Sequence, residues 1–158
     1  METRIDLTKH VNEGARALFA IERYLQASSL GKTLLHLIKM RASQINGCAY
    51  CLDMHSKDAR AEGETEQRLY GLDAWREAPY YTAKERAALE WTESLTLVAQ
   101  THVPDDVYEA VKKEFNEAEI VDLTYAVAAI KESAGHSNAR TRGHASTGEA
   151  LDSDDVEI

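Results

Sequence analysis

Helix breakers are nearly absent from this chain: two prolines and eight glycines are spread over 158 residues. Charged residues are spaced between apolar ones, and no convincing strand alternation appears. An all-α, single-domain helical bundle is therefore expected. One helix is predicted from Val11 to about Ala27, where Ala15, Leu18, Phe19, Ile21 and Leu25 form a broad apolar stripe interrupted by Glu22. A second, from Leu34 to about Ile45, stops at Asn46-Gly47, residues that end helices readily. A third runs from about Cys48 to Glu62 and ends at Gly63, a shorter one starts near Thr65, and Tyr70 to Pro79 reads as a turn-rich connector. Thr82-Ala-Lys-Glu85 has the form of a capping box. It opens a long helix to about Gln100, with Ala88, Trp91, Leu95 and Val98 on a buried stripe. Pro104-Asp105 begins another helix, and the last clear one runs from Glu117 through Ile120, Leu123, Val127 and Ile130.

The pattern then collapses. Residues 131–145 contain no Leu, Ile, Val or aromatic side chain, and Ser146 to Ile158 carries five acids and no base. The expected organisation is a domain over residues 1–130 followed by a divergent polar to acidic tail over 131–158. His136 and His144 belong to that tail and are assigned no function. A net charge of −9, from 18 basic and 27 acidic residues, speaks against nucleic acid or an anionic membrane as partner. No apolar run approaches membrane-spanning length and no targeting segment follows Met1, so a cytoplasmic location is expected.

Cys48-Ala-Tyr-Cys51 holds the only two cysteines, and His55 follows one helical turn later. On a helix the three positions fall within roughly a 60° arc. Thiols react as thiolates, and the first turn of a helix lowers a cysteine pKa through its unpaired N–H groups. His55 can take the proton or stabilise the thiolate. In a reducing compartment such a pair points to redox cycling, catalysis or metal binding rather than a permanent staple. Zinc is the competing reading, with Cys48, Cys51, His55 and His36 as a Cys2His2 set, although structural zinc cysteines usually sit in a tight turn. Ser43 and Gln44 are placed to donate hydrogen bonds near the thiols. Trp75, Trp91, Tyr70 and Tyr108 are assigned to packing. Glu62, Glu64 and Glu66 read as a solvated charge run.

The stretch Met40-Arg-Ala-Ser-Gln-Ile-Asn-Gly-Cys-Ala-Tyr-Cys-Leu-Asp-Met-His55, with Lys57-Asp-Ala-Arg, Gly63-Glu-Thr-Glu-Gln67, Trp75-Arg76 and Glu90-Trp91-Thr-Glu93, resembles the AhpD-like alkylhydroperoxidases of the carboxymuconolactone decarboxylase superfamily. The resemblance extends to about Ile130. It implies an all-α fold that oligomerises, and a peroxidase-type thiol cycle in which Cys51 reacts with peroxide, Cys48 resolves and His55 serves a proton relay. Two departures stand out. The family glutamate expected twelve residues before the first motif cysteine is replaced by His36, which becomes a candidate site residue, with one of Glu62, Glu64 and Glu66 as the alternative source of the relay acid. The Asn- and Trp-containing end of the last helix is replaced by Lys131-Glu-Ser-Ala-Gly-His136.

The function expected is a thiol-dependent hydroperoxidase that cycles Cys48 and Cys51 between dithiol and disulfide. It takes a hydroperoxide as substrate and a dithiol or redox protein as electron donor, needs no cofactor or metal, and forms a homo-oligomer. A non-catalytic redox sensor or zinc-binding protein of the same fold is the alternative.

Overall fold

The computed structural model describes residues 12–140, with side chains described as far as Gly135. Within that span are eight α-helices and one 3-10 turn: α1 (Glu13–Gln26), α2 (Lys32–Asn46), α3 (Ala49–Ala61), α4 (Glu66–Tyr70), the turn Gly71–Ala74, α5 (Ala83–Thr96), α6 (Val98–Thr101), α7 (Asp105–Glu114) and α8 (Glu117–Arg140). No strand occurs among the described residues. Val11, His144 and the acidic segment from Ser146 lie outside them, as does the side chain of His136.

Helix α2 is the hub. Leu34, Leu35, His36, Leu37, Ile38, Lys39, Met40, Ala42 and Ser43 are all buried, so it is covered on every side. One face joins Leu25 of α1, Ala88 and Trp91 of α5, Val111 and Phe115 at α7, and Leu123 and Val127 of α8 in the main core. Another carries Leu37 and Met40 against Ala59, Leu69, Leu72, Trp75, Tyr81 and Leu89. The end of α2 meets a third, smaller cluster of Ala42, Cys48, Cys51, Ile130 and Ala134.

Local signals set most boundaries. Asn12 caps α1 by accepting from the Ala15 N–H at 3.1 Å. The capping box of α5 is complete, with Glu85 N–H on Thr82 Oγ1 at 3.2 Å and Thr82 N–H on Glu85 Oε2 at 2.8 Å. The helix expected to reach Gln100 breaks instead at Leu97. Two causes converge there. Thr92 and Thr96 hydroxyls bond back to the carbonyls of Ala88 and Thr92 at 2.7 and 2.6 Å, which loosens a helix. Lys131 of α8 then places its ammonium on the carbonyls of Leu95 and Thr96 at 3.3 and 2.9 Å, occupying acceptors that a continuing helix would use.

Helix α8 runs past Ile130 to Arg140, so the expected boundary falls inside it. The stretch lacks large apolar side chains, yet Lys131 ties it to α5 and Ala134 packs beside the cysteines. Other expectations shift as well. Tyr70, assigned to packing, is 76% exposed, and Tyr108 is exposed too, its ring lying 6.1 Å from that of Trp91. Glu64, expected in a solvated run, is a buried side chain paired with Arg68 at 2.9 Å.

Candidate active site

The site begins at the junction of α2 and α3. Gly47 adopts φ 60°, the left-handed conformation that ends α2 and that a Cβ would strain. The Cys48 N–H reaches back to the Ser43 carbonyl at 3.2 Å, so only Gly47 and Cys48 separate the two helices. Cys48 is therefore the N-cap of α3, its sulfur accepting from the Cys51 N–H at 3.3 Å. Cys51 sits in the first helical turn, where unpaired N–H groups favour a thiolate. The two cysteines form a disulfide with 5.3 Å between their Cα atoms. Both sulfur-bearing side chains are buried, walled by Ala42, Ile130 and Ala134, with Tyr50 at the edge. The segment after Ile130 thus supplies part of the wall.

His55, one turn beyond Cys51 on the same face of α3, is buried. Its Nδ1 lies 3.7 Å from Asp58 Oδ2, an ion-pair distance longer than a formed hydrogen bond. Its Nε2 is buried without a hydrogen-bond partner in the chain. The proximity of the His55 imidazole draws the Asp58 carboxyl below its ordinary value, against its partial burial, and Lys39 adds to the effect.

His36 is buried on α2, and its Nδ1 also lacks a partner in the chain. Burial, reinforced by Lys39, pushes its pKa below the ordinary 6.5, while Asp58 and Glu62 pull the other way. His36 and His55 thus lie within electrostatic reach of each other and of Asp58. Lys39, itself buried, is neutralised by Glu22 of α1 at 2.5 Å, which accounts for the acid in the α1 stripe. The polar residues expected near the thiols are engaged elsewhere. Ser43 Oγ donates to the Lys39 carbonyl at 2.7 Å, and Gln44 accepts from Arg41 at 2.9 Å. No group of three or more His, Cys, Asp or Glu side chains suited to holding a metal occurs among the described residues, so Cys48, Cys51, His55 and His36 do not converge as a zinc set.

A second polar cluster supports the end of α2. Glu93 of α5 accepts from Arg41 Nε at 2.8 Å, Trp75 Nε1 at 2.8 Å and Arg76 Nη1 at 2.6 Å. Arg41 also bonds Asp73. The connector is held by Arg86, whose guanidinium donates to the carbonyls of Tyr81, Trp75, Arg76 and Ala78.

A helical bundle centred on a Cys-x-x-Cys pair at a helix N-terminus defines the AhpD-like class. The chain belongs to the Carboxymuconolactone decarboxylase family, which it matches over residues 12–94. It is 45% identical over 123 residues to the uncharacterized protein YdfG of Bacillus subtilis (strain 168), covering 78% of this chain and 84% of that one. A crystal structure of a protein of unknown function from Agrobacterium tumefaciens, proposed to be the antioxidant defence protein AhpD, superposes with a TM-score of 0.86 at 41% identity. That match covers 92% of this chain and 99% of the other. The debrominase Bmp8 shares the fold at 19% identity, with a TM-score of 0.70 over 79% of this chain and 67% of its own.

Proposed function

We propose that the protein is a thiol-dependent hydroperoxidase. The observation that carries this reading is the redox-capable pair at the start of α3, followed on the same helical face by a buried imidazole whose Nε2 has no partner. Membership of a family whose fold serves enzymes supports it, and so does the role in antioxidant defence proposed for the Agrobacterium relative.

In the reduced protein, His55 Nε2 accepts the Cys51 thiol proton. The Cys51 thiolate attacks the distal oxygen of a hydroperoxide, the O–O bond breaks, and the departing oxygen leaves as alcohol or water after taking a proton. Cys51 is now a sulfenic acid. Cys48, at the cap of the same turn, attacks that sulfur, expels water and forms the disulfide. An external dithiol reduces it by exchange and returns two protons and two electrons. Reduction needs sulfur-to-sulfur contact, so side chains covering the buried cysteines must move to admit the donor.

The reading also takes the enzyme to be cytoplasmic, where dithiol donors are maintained; among the described residues no helix is long and apolar enough to cross a membrane. It takes the enzyme to be a homo-oligomer. Phe19 and Tyr24 of α1 and Val121 and Tyr125 of α8 are large side chains left exposed on two neighbouring helices.

Peroxide added to fully reduced protein is expected to remove two hydrogens by mass, with Cys51→Ser inert and Cys48→Ser leaving a trappable sulfenic acid on Cys51. Two free thiols persisting after treatment would overturn the assignment.

A further inference from the structure

We propose that Asp58 is the positioning residue of the thiol site, supplying through His55 the negative charge that the family pattern draws from position 36. The inference rests on the reading of Cys51 as the reacting thiol. Cys51, His55 and Asp58 stand at i, i+4 and i+7 of one helix, so all three share a face. Asp58 faces Nδ1 of the imidazole, and the opposite nitrogen is the one left without a partner. A carboxylate at ion-pair distance from Nδ1 favours the tautomer with its proton there, which leaves the Nε2 lone pair free to act as base. When the thiol proton moves to Nε2, the resulting imidazolium lies between the Cys51 thiolate and the Asp58 carboxylate. The proton passes from sulfur to nitrogen and no other group changes charge.

The surroundings leave Asp58 this role. His36, within electrostatic reach on α2, is an imidazole whose burial disfavours the charged form, and it supplies no carboxylate. Lys39, on the same helix, is neutralised by Glu22. Glu62, further along the chain at the end of α3, is paired with Lys32 at 2.7 Å. Helix α8 also packs against α3 and carries Lys131, bonded to α5 carbonyls, and the half-buried Glu132. Asp58 Oδ2, 3.7 Å from Nδ1, is the carboxylate placed at the His55 ring.

The test uses the reduced full-length chain and reads the pH profile of Cys51 alkylation by iodoacetamide in a Cys48→Ser background, independently of any peroxide chemistry. Asp58→Asn should move the midpoint upward by about one pH unit, leaving about tenfold less thiolate below it. The ring 15N shifts of His55 should report loss of the Nδ1–H tautomer. Asp58→Glu should restore most of the profile. Asp53→Asn removes the same charge from an exposed pair with Lys57 and should leave it unmoved. An unchanged midpoint and tautomer in Asp58→Asn, or an equal shift in Asp53→Asn, would overturn the proposal. If the wild type ignores peroxide while Asp58→Asn shifts the midpoint as stated, the positioning role stands and the peroxidase assignment fails. Peroxide turnover with no shift means the reverse: the peroxidase assignment stands and the positioning role fails.

Discussion

Replacing Glu93 by Gln keeps the shape of the side chain and removes its charge. Glu93 has 15% of its side chain exposed and accepts from three donors, two of them cationic. Arg41, with its side chain 13% exposed, forms a little-screened pair, and the buried Trp75 Nε1–H adds a second bond. Arg76 is 53% exposed, so its share is small. Glutamine offers one oxygen to three donors and turns an NH2 group toward N–H groups that cannot accept. A charge-assisted hydrogen bond is worth about 1.5–3 kcal/mol, so the substitution should cost roughly 2–3 kcal/mol after discounting Arg76. In a domain of this size that corresponds to a fall in Tm of about 8 °C. The pH dependence gives an independent check. Burial pushes the Glu93 carboxyl up, but hydrogen bonds from Trp75, Arg76 and Arg41 outweigh it and hold the folded pKa below the ordinary 4.5. A depressed acid stabilises fully above its unfolded pKa and loses that contribution as pH falls through the folded one. Urea titrations of wild type and Glu93→Gln should therefore differ by a constant amount at neutral pH and converge below about pH 4.5. A loss under about 1 kcal/mol at neutral pH, or a gap that persists undiminished in acid, would refute the attribution to a charged network.

His36, buried with a lowered pKa, resists a proton that the unfolded chain takes up near 6.5, so its contribution to stability is complete above that pH and is lost as pH falls below it. His36→Leu should flatten the decline in urea stability between about pH 7 and 5, and an unchanged slope would show that the histidine protonates freely in the folded state. Light scattering of the purified protein at micromolar concentration is expected to give more than one subunit, and Tyr125→Lys together with Phe19→Lys should reduce the mass. A monomeric wild type would reject the assembly.

The parts of the fold that local chemistry controls are legible in the sequence. Gly47 ends α2 because it tolerates φ 60°, and Thr82 with Glu85 opens α5 because each satisfies the other's N–H. The end of α5 is not legible in the same way. The Lys131 ammonium that takes its last carbonyls lies 35 residues further along the chain, and nothing in residues 96–100 announces it. The same holds for the stretch after Ile130, where composition suggests a tail. Ala134 packs beside the buried disulfide and Lys131 bonds the last carbonyls of α5, contacts that composition does not reveal.

At the candidate site, the shared face of Cys48, Cys51 and His55 is legible from spacing because they lie on one helix and its cap, but their polar surroundings are not. Position 36 stands out only through the family resemblance, which implies an acid there. An acid that acts on an imidazole need only lie beside the ring, and Asp58 does so from one turn along the same helix. Its signal in the sequence is a Cys-x-x-x-His-x-x-Asp spacing, which places all three on one face. Glu62, Glu64 and Glu66 form a denser acidic run and draw the eye first, yet their partners are Lys32, Arg68 and Arg60. The structure separates these candidates by what each carboxylate already holds: the three glutamates have cations, whereas Asp58 has an imidazole whose second nitrogen is without a partner.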